Sequence, residues 1–292
     1  MAISTANAPE LTAEQVQHIL VKPLEAASVF LSAGPRIFDT DGSPVRVPKL
    51  GAPTNPAWYG ENELIADQDV DFNEVTLLPS TIKSVKSLTR FSNELARQSV
   101  VSLDAAIKDR LVTDVAAKLD TAFIAGTGDS GTTPKGILNY TGTQEITAVG
   151  APGLDAILDA WGKLLAANVN TASTKWLMRP ETFVALRKVK QATGSNGYVL
   201  TPDPTQDGVF RLFGSQVIIT NRIPVVGTTT KTTQAVLADF SQIAVARDQA
   251  PTVKILDQTF GDYDQQAIRV TARYDAAPLN AEAVVILKGI TV

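Results

Sequence analysis

Cysteine does not occur in the 292-residue chain, which excludes disulfides, thiolate metal sites and cysteine nucleophiles. Histidine occurs once, at His18, on the polar side of a short amphipathic stretch, where a solvated surface residue is expected. Two methionines leave little scope for a soft, adaptable binding surface. Aromatics make up only 6% of the residues, which suits sheet surfaces and shallow contacts better than a deep aromatic pocket. No apolar run approaches a membrane span, and no basic region followed by an apolar one opens the chain. A start in a cytoplasm, without a membrane partner, is therefore expected. Basic charge is not in excess either. With 26 Lys and Arg against 30 Asp and Glu, the net charge of -4 argues against tight, salt-dependent tracking along nucleic acid.

Catalytic patterns are equally scarce. Without cysteine and with one histidine, serine–lysine pairs, paired carboxylates or a carboxylate-held metal remain. No G-x-S-x-G, H-E-x-x-H or G-x-x-x-x-G-K-[ST] spacing occurs. Asp67, Asp69 and Asp71 begin like a calcium loop, but Phe72 stands at its glycine position and Leu78 at its bidentate glutamate, so the motif fails. The expectation is a protein that is not an enzyme and has no catalytic, cofactor-binding or metal-binding residues.

What is present is globular in composition, 44% hydrophobic against 19% charged, and long enough for one large or two ordinary domains. Its organising stretch runs from Ser99 to Gly136. Ser99 or Ser102 caps a helix there, Asp104 and Asp109 suit the positive end of its dipole, and no Gly or Pro interrupts before Gly126. Leu103, Ile107, Leu111, Val115, Leu119 and Phe123 make one apolar stripe, widened by Val112, Ala116 and Ala122. The spacing predicts a rod over about 99–126, roughly 37 Å long at ~1.5 Å per residue. It stops at Gly126-Thr-Gly-Asp-Ser-Gly131. A phosphate cradle needs such glycines between a strand and a helix start, whereas these follow a helix, so a C-cap and turn is expected.

Around the rod, Thr12-Ala-Glu-Gln15 fits a capping box before Val16, Ile19 and Leu20, and Pro23 opens a second short helix through Phe30 and Leu31 to Gly34-Pro35. Val45–Leu50 and Phe72–Leu78 alternate as two strands of a long hairpin. Its tip holds Trp58, Tyr59, Leu64 and Ile65 among polar and acidic residues. Such a hairpin is marginal in water on its own, so cover from another subunit is expected. From Gly153 the order becomes alternating helix and strand, which places a boundary near 150. Leu154, Ile157, Leu158, Trp161, Leu164 and Leu165 form an amphipathic helix, and Trp176–Met178 a strand before a helix begun by Pro180. The loop from Gln191 to Gly208 is long enough to expect function or contact. Strands follow at 216–220, 235–239, 243–246 and 253–256. The chain closes with alternating residues from Ile268 to Tyr274 and a last strand at Ala283–Leu287.

A long helix ending in A-G-T-G, then T-P-K-G-I-L, resembles the major capsid proteins of tailed double-stranded DNA bacteriophages, the Hong Kong 97 fold family. Pro-Ala-Trp-Tyr-Gly-Glu61, Trp-Leu-Met-Arg-Pro-Glu181, Gly-Ser-Gln-Val-Ile218 and the ending from Phe260-Gly-Asp carry the same resemblance. It implies an α+β fold with an N-terminal arm (1–44), an extended loop (45–80) and a peripheral domain holding the spine helix (81–150). An axial domain (151–256) and closing peripheral strands (257–292) complete it. It also implies a homo-oligomer of hexamers and pentamers in an icosahedral head enclosing double-stranded DNA without sequence-specific binding. Portal and scaffolding proteins and a cement or decoration protein would be partners, and the virion capsid, assembled in the host cytoplasm, its place. Trp58, Tyr59, Glu61, Leu64 and Ile65 are the expected inter-subunit contacts. Some relatives cross-link a loop lysine to an asparagine with a glutamate's help. Here Asp264 and Thr271 stand at the asparagine and glutamate positions, and no lysine lies between Leu50 and Ile82, so uncrosslinked shells are expected. If Met1 is the encoded start, scaffolding is expected from a separate protein. The alternatives are an encapsulin-type nanocompartment shell protein and, from another class, a monomeric α+β hydrolase acting through carboxylates. Finally, Phe30 and Leu31 have no evident partner in the sequence, so loss of residues 1–31 is expected to leave the subunit folded.

Overall fold

A computed structural model describes residues 27–50, 57–65, 72–77, 83–93, 103–191, 196–200 and 210–292. The helix expected at Thr12–Leu20 with His18, the carboxylates Asp67, Asp69 and Asp71, and the cap at Ser99 or Ser102 lie outside the described residues, as do 192–195 and 201–209 of the long loop. In chain order the elements are α1 (Val29–Ser32), β1 (Arg36–Asp39), β2 (Val45–Leu50), β3 (Phe72–Leu77), β4 (Ser84–Ser92) and the long helix α2 (Leu103–Ala125). Then come β5 (Gln144–Ile146), α3 (Leu154–Ala166), β6 (Thr174–Met178), α4 (Pro180–Arg187), β7 (Arg211–Leu212) and β8 (Ser215–Ile219). The chain ends with β9 (Thr232–Asp239), β10 (Ile243–Phe260), β11 (Gln265–Pro278) and β12 (Val284–Thr291).

Helix α2 has 23 residues, about 35 Å at ~1.5 Å each. Its residues Leu111, Val115, Leu119 and Phe123 are buried, one turn apart, against the alternate residues Ile268, Val270, Ala272 and Tyr274 of β11. That strand belongs to a four-stranded sheet ordered β1-β10-β11-β4. The helix stops because two glycines let backbone lie on backbone. Gly126 N–H donates to the Ala122 carbonyl and Gly136 N–H to the Gly126 carbonyl, both at 2.8 Å. A β-carbon at Gly136 would stand 2.5 Å from Gly126 N and 2.6 Å from the Ile124 carbonyl oxygen, so only glycine fits. The glycines thus make a close-packed turn after the helix.

The second sheet has six strands in the order β5-β12-β9-β6-β8-β7. One face packs on α3 and α4 through Trp176, Met178, Leu237, Val285 and Leu287 against Ile157, Leu164, Phe183 and Leu186. The other face sends Leu177, Val236, Ala238, Val284 and Ile286 into the core of the long helix. The sheet is therefore a middle layer, and its residues alternate between two cores.

One strand pairing in this layering differs from the sequence expectation. The last strand, within 257–292, was expected beside the long helix, but β12 pairs with β9 and β5 in the six-stranded sheet and gives only one face to the helix's core. Its run Val284-Val-Ile-Leu287 is buried on both faces because a core packs on each face of the sheet it belongs to. Conversely, 243–246 and 253–256 are one bent strand, β10, within the four-stranded sheet, with register shifts between Arg247 and Thr252 that absorb its bend.

The N-terminal expectation is corrected as well. Phe30 is 0% exposed, with ring centroids 5.2 Å from Phe123 and 5.6 Å from Phe240, and Leu31 is buried beside it. Strand β1 pairs in parallel with β10 from Arg36 opposite Ala244 to Asp39 opposite Arg247. The missing signal was long-range. Asp120, only 3% exposed on α2, accepts the Ser28 hydroxyl (2.6 Å), the Val29 N–H (2.9 Å) and the Phe30 N–H (3.0 Å). Those are the orphan donors at the start of α1, so a buried carboxylate and a helix end satisfy each other. Lys175 Nζ adds a 2.7 Å hydrogen bond to the Ala33 carbonyl from β6. Residues 28–33 therefore belong to the subunit core, and β1 joins its four-stranded sheet as a largely exposed edge strand.

Candidate subunit interface

Strands β2 and β3 form a two-stranded antiparallel sheet from Val45 opposite Leu77 to Leu50 opposite Phe72, with no third strand among the described residues. The hairpin is held at its base. Leu77 is buried against Ala244 and Ala246 of β10, with Val45 and Phe38 beside it. Beyond that point both strands are edges. Arg46 and Glu74 approach only to 4.0 Å, both largely solvated, a pair worth little. Pro48, which cannot donate a ladder hydrogen bond, stands opposite Glu74, as an edge strand permits.

At the tip, a tight turn fixes residues 60–63. Gly60 N–H donates to Glu63 Oε2 (2.7 Å), Glu63 N–H returns to the Gly60 carbonyl (3.3 Å), and Asn62 takes φ 62°. Glu63 was not singled out from sequence, although a carboxylate three residues after glycine is the signal that marks it. Trp58 is fully exposed, and Leu64 and Ile65 are 89% and 73% exposed; Tyr59 is half-buried and Glu61 exposed. The five expected contact residues are thus gathered on one tip, and three large apolar side chains there face solvent in the isolated chain. This concentration is unusual for a monomer surface.

Among the described residues nothing comparable marks a catalytic centre. A groove of about 380 Å³ runs between α2 and β4, lined by Lys83, Lys118, Leu119 and Tyr274 among others. Lys83 is occupied there, 2.7 Å from the buried Asp275. Nearby, burial and then the negative charge of Asp275 push the Tyr140 hydroxyl far above its ordinary pKa, so it stays neutral. Among the described residues no three His, Cys, Asp or Glu side chains gather as a metal cluster would require, and no helix is long and apolar enough to cross a membrane.

The sequence profile of the phage capsid family matches residues 11–289. The chain belongs to that family. It is 24% identical over 315 aligned positions to the major capsid protein of Klebsiella oxytoca phage phiKO2, covering 99% of this chain and 71% of the relative. It is 30% identical over 188 positions to the capsid polyprotein of Pseudomonas phage PAJU2, covering 62% of this chain and 27% of that one. Over 133 positions it is 28% identical to the major capsid protein of Halomonas phage phiHAP-1, covering 46% of this chain and 21% of the relative. The chain thus spans about a quarter or less of the length of these last two. Among solved structures it is similar to the capsid of a native GTA particle (TM-score 0.74, 17% identity, 90% of both chains). It is also similar to a structure from Mycobacterium phage Cain (TM-score 0.69, 20% identity, 99% and 98% of the two chains). The fold is the α+β, Hong Kong 97-like capsid fold. This phage capsid protein is a structural protein, from a family that is not an enzyme class.

Proposed function

We propose that this capsid protein assembles into the hexamers and pentamers of an icosahedral head that encloses double-stranded DNA, and that the shell is held without covalent cross-links. The observation that carries the reading is the hairpin tip. Trp58, Leu64 and Ile65 stand exposed on a two-stranded sheet anchored only at its base, and a stable interface needs on the order of 1,200 to 2,000 Å² of buried surface. Burial of Trp58, Tyr59, Glu61, Leu64 and Ile65 against a neighbouring subunit supplies part of it. The long helix and four-stranded sheet correspond to the peripheral domain in this reading, and the six-stranded sheet to the axial domain. Portal, scaffolding and cement proteins are the further partners it implies, with assembly in the host cytoplasm. The absence of any lysine between Leu50 and Ile82, with Asp264 and Thr271 at the cross-linking positions, supports non-covalent shells.

Electron microscopy of the purified chain, with nuclease-protected DNA measured in native particles, tests this reading. Closed shells containing DNA are expected, and their denaturing electrophoresis should show one band near 31.0 kDa. Shells that protect a cargo enzyme and no DNA would replace it with a nanocompartment, a ladder of subunit multiples would refute the uncrosslinked shell, and a stable monomer would refute assembly.

A further inference from the structure

The base of the hairpin does not rest on apolar contact alone. Leu77, at the end of β3, packs on Ala244 and Ala246 of β10, with Ala277 of β11 beside them. Asp275 of β11 stands opposite Ala246 in the strand register and two residues before Ala277, so it shares the face that Leu77 covers. Its neighbours Tyr274 and Ala276 point the other way, into the core of the long helix. A carboxylate with only 3% of its side chain exposed is thus built into the floor beneath the hairpin. Its cation comes from the returning limb. Lys83, the residue before β4, brings Nζ to 2.7 Å from Asp275 Oδ1 and is itself only 14% exposed. The Ala276 N–H donates to the same oxygen at 2.9 Å. The outgoing limb is tied to the same rung of the sheet, because Phe38 of β1 stands on the other side of Ala246 and the Thr40 N–H donates to the Arg247 carbonyl at 3.0 Å.

A buried ion pair is a poor source of stability, since both ions lose their hydration and an apolar pair of similar volume is often as stable or more so. What it adds here is discrimination. Leu77 on a floor of alanines has no directional preference, so the apolar seat alone lets the hairpin slide or turn at little cost. Displacement of Lys83 leaves the Asp275 carboxylate buried without that cation, which is strongly unfavourable. The pair on the outgoing limb cannot discriminate in this way, because Asp39, beside Arg247, is 67% exposed and stays hydrated when it shifts. We propose that Lys83 and Asp275 form a registry pin that fixes the direction in which the hairpin leaves its own subunit. The pin acts within one chain. It presents Trp58, Leu64 and Ile65 in one orientation before a second copy covers them, so less freedom is lost on contact. This deepens the reading of the hairpin as an assembly element and rests on it only for that benefit.

The absence of cysteine lets two spin labels report that direction on free subunits. Ala57→Cys near the tip and Lys118→Cys on the long helix are both exposed positions, and pulsed electron paramagnetic resonance reads the distance distribution between them. The parent should give one narrow distribution. The apolar pair Lys83→Met/Asp275→Leu should widen it at least about twofold while its denaturant midpoint stays equal or rises, and its shell yield should fall several-fold. Lys83→Arg, which keeps the charge pair, should stay close to the parent width. If the apolar pair fails to fold, Lys83→Gln, which removes the cation and keeps a donor, takes its place with the same expected widening. A narrow distribution without the ion pair, or a broad one in the parent, would overturn the pin. So would an apolar pair that loses stability and keeps the parent width, since the ions would then be an ordinary stabilising contact. A parent with a narrow distribution that never forms shells would overturn the assembly reading and leave the pin standing.

Discussion

Two segments lead the chain into its long helix, and they are stabilised in opposite ways. Residues 28–39 hold only a one-turn helix and a four-residue edge strand, yet they are fixed to the subunit by an aromatic plug, a buried carboxylate and a parallel strand pairing. The hairpin from Val45 to Leu77 has regular six-residue strands, yet only its base touches the core. Regularity of backbone and membership of the core are thus independent. A strand ladder satisfies backbone groups, but the burial of side chains decides which subunit, or which pair of subunits, a segment belongs to.

Four substitutions can break or sharpen that contrast. The largest effect is expected from Phe30→Ala, which removes the ring between Phe123 and Phe240 and should cost the free subunit about 3–5 kcal/mol in denaturant unfolding. A loss below about 1 kcal/mol would return α1 to an arm outside the core. Next, Asp120→Ala leaves the Ser28 hydroxyl and the N–H groups of Val29 and Phe30 without their acceptor, and about 2–3 kcal/mol should be lost by the same measurement. Asp39→Asn should cost only about 0–1 kcal/mol, because Asp39, although held by Arg247 at 2.5 and 2.9 Å, is largely solvated. The Arg247 hydrogen bonds hold the Asp39 carboxyl below the usual carboxylate range. The folded pKa is depressed, so this contribution is present above the unfolded value near ~4 and fades as pH falls through the folded one. The substitution should therefore take this small contribution away at neutral pH and change nothing below the folded pKa, which flattens the acid limb of the stability curve. Last, Trp58→Ala should change subunit unfolding by less than about 0.5 kcal/mol, since the side chain is fully exposed, while lowering the yield of shells. Normal shell yield would remove Trp58 from the interface.

The sequence made some of this legible and hid the rest for physical reasons. The long helix was readable because its stripe from Leu111 to Phe123 repeats every turn and ends on glycine, signals confined to neighbouring residues. The hairpin was readable through its alternation, and β11 through the in–out pattern from Ile268 to Tyr274. What could not be read were pairings between distant residues. Phe30 meets Phe240, Ser28 meets Asp120, and β12 lies beside β9, and no local spacing encodes any of these. β10 was divided because its bulges near Arg247 and Thr252 interrupt the period of two. The seat of the hairpin was hidden for the same reason, since Ala246, Asp275 and Lys83 come together only through strand register and the reach of one side chain. The tip was legible as a list of apolar residues in an acidic loop, but the turn that Glu63 makes with Gly60 was not.

Amide hydrogen exchange, measured on free subunits and on assembled shells, tests the central contrast most directly. The account predicts that amides of residues 29–39 and of the long helix are protected in both states, whereas those of Val45–Leu50 and Phe72–Leu77 become strongly protected only in shells. Equal protection of the hairpin in both states, or fast exchange of residues 29–39 in the free subunit, would contradict it.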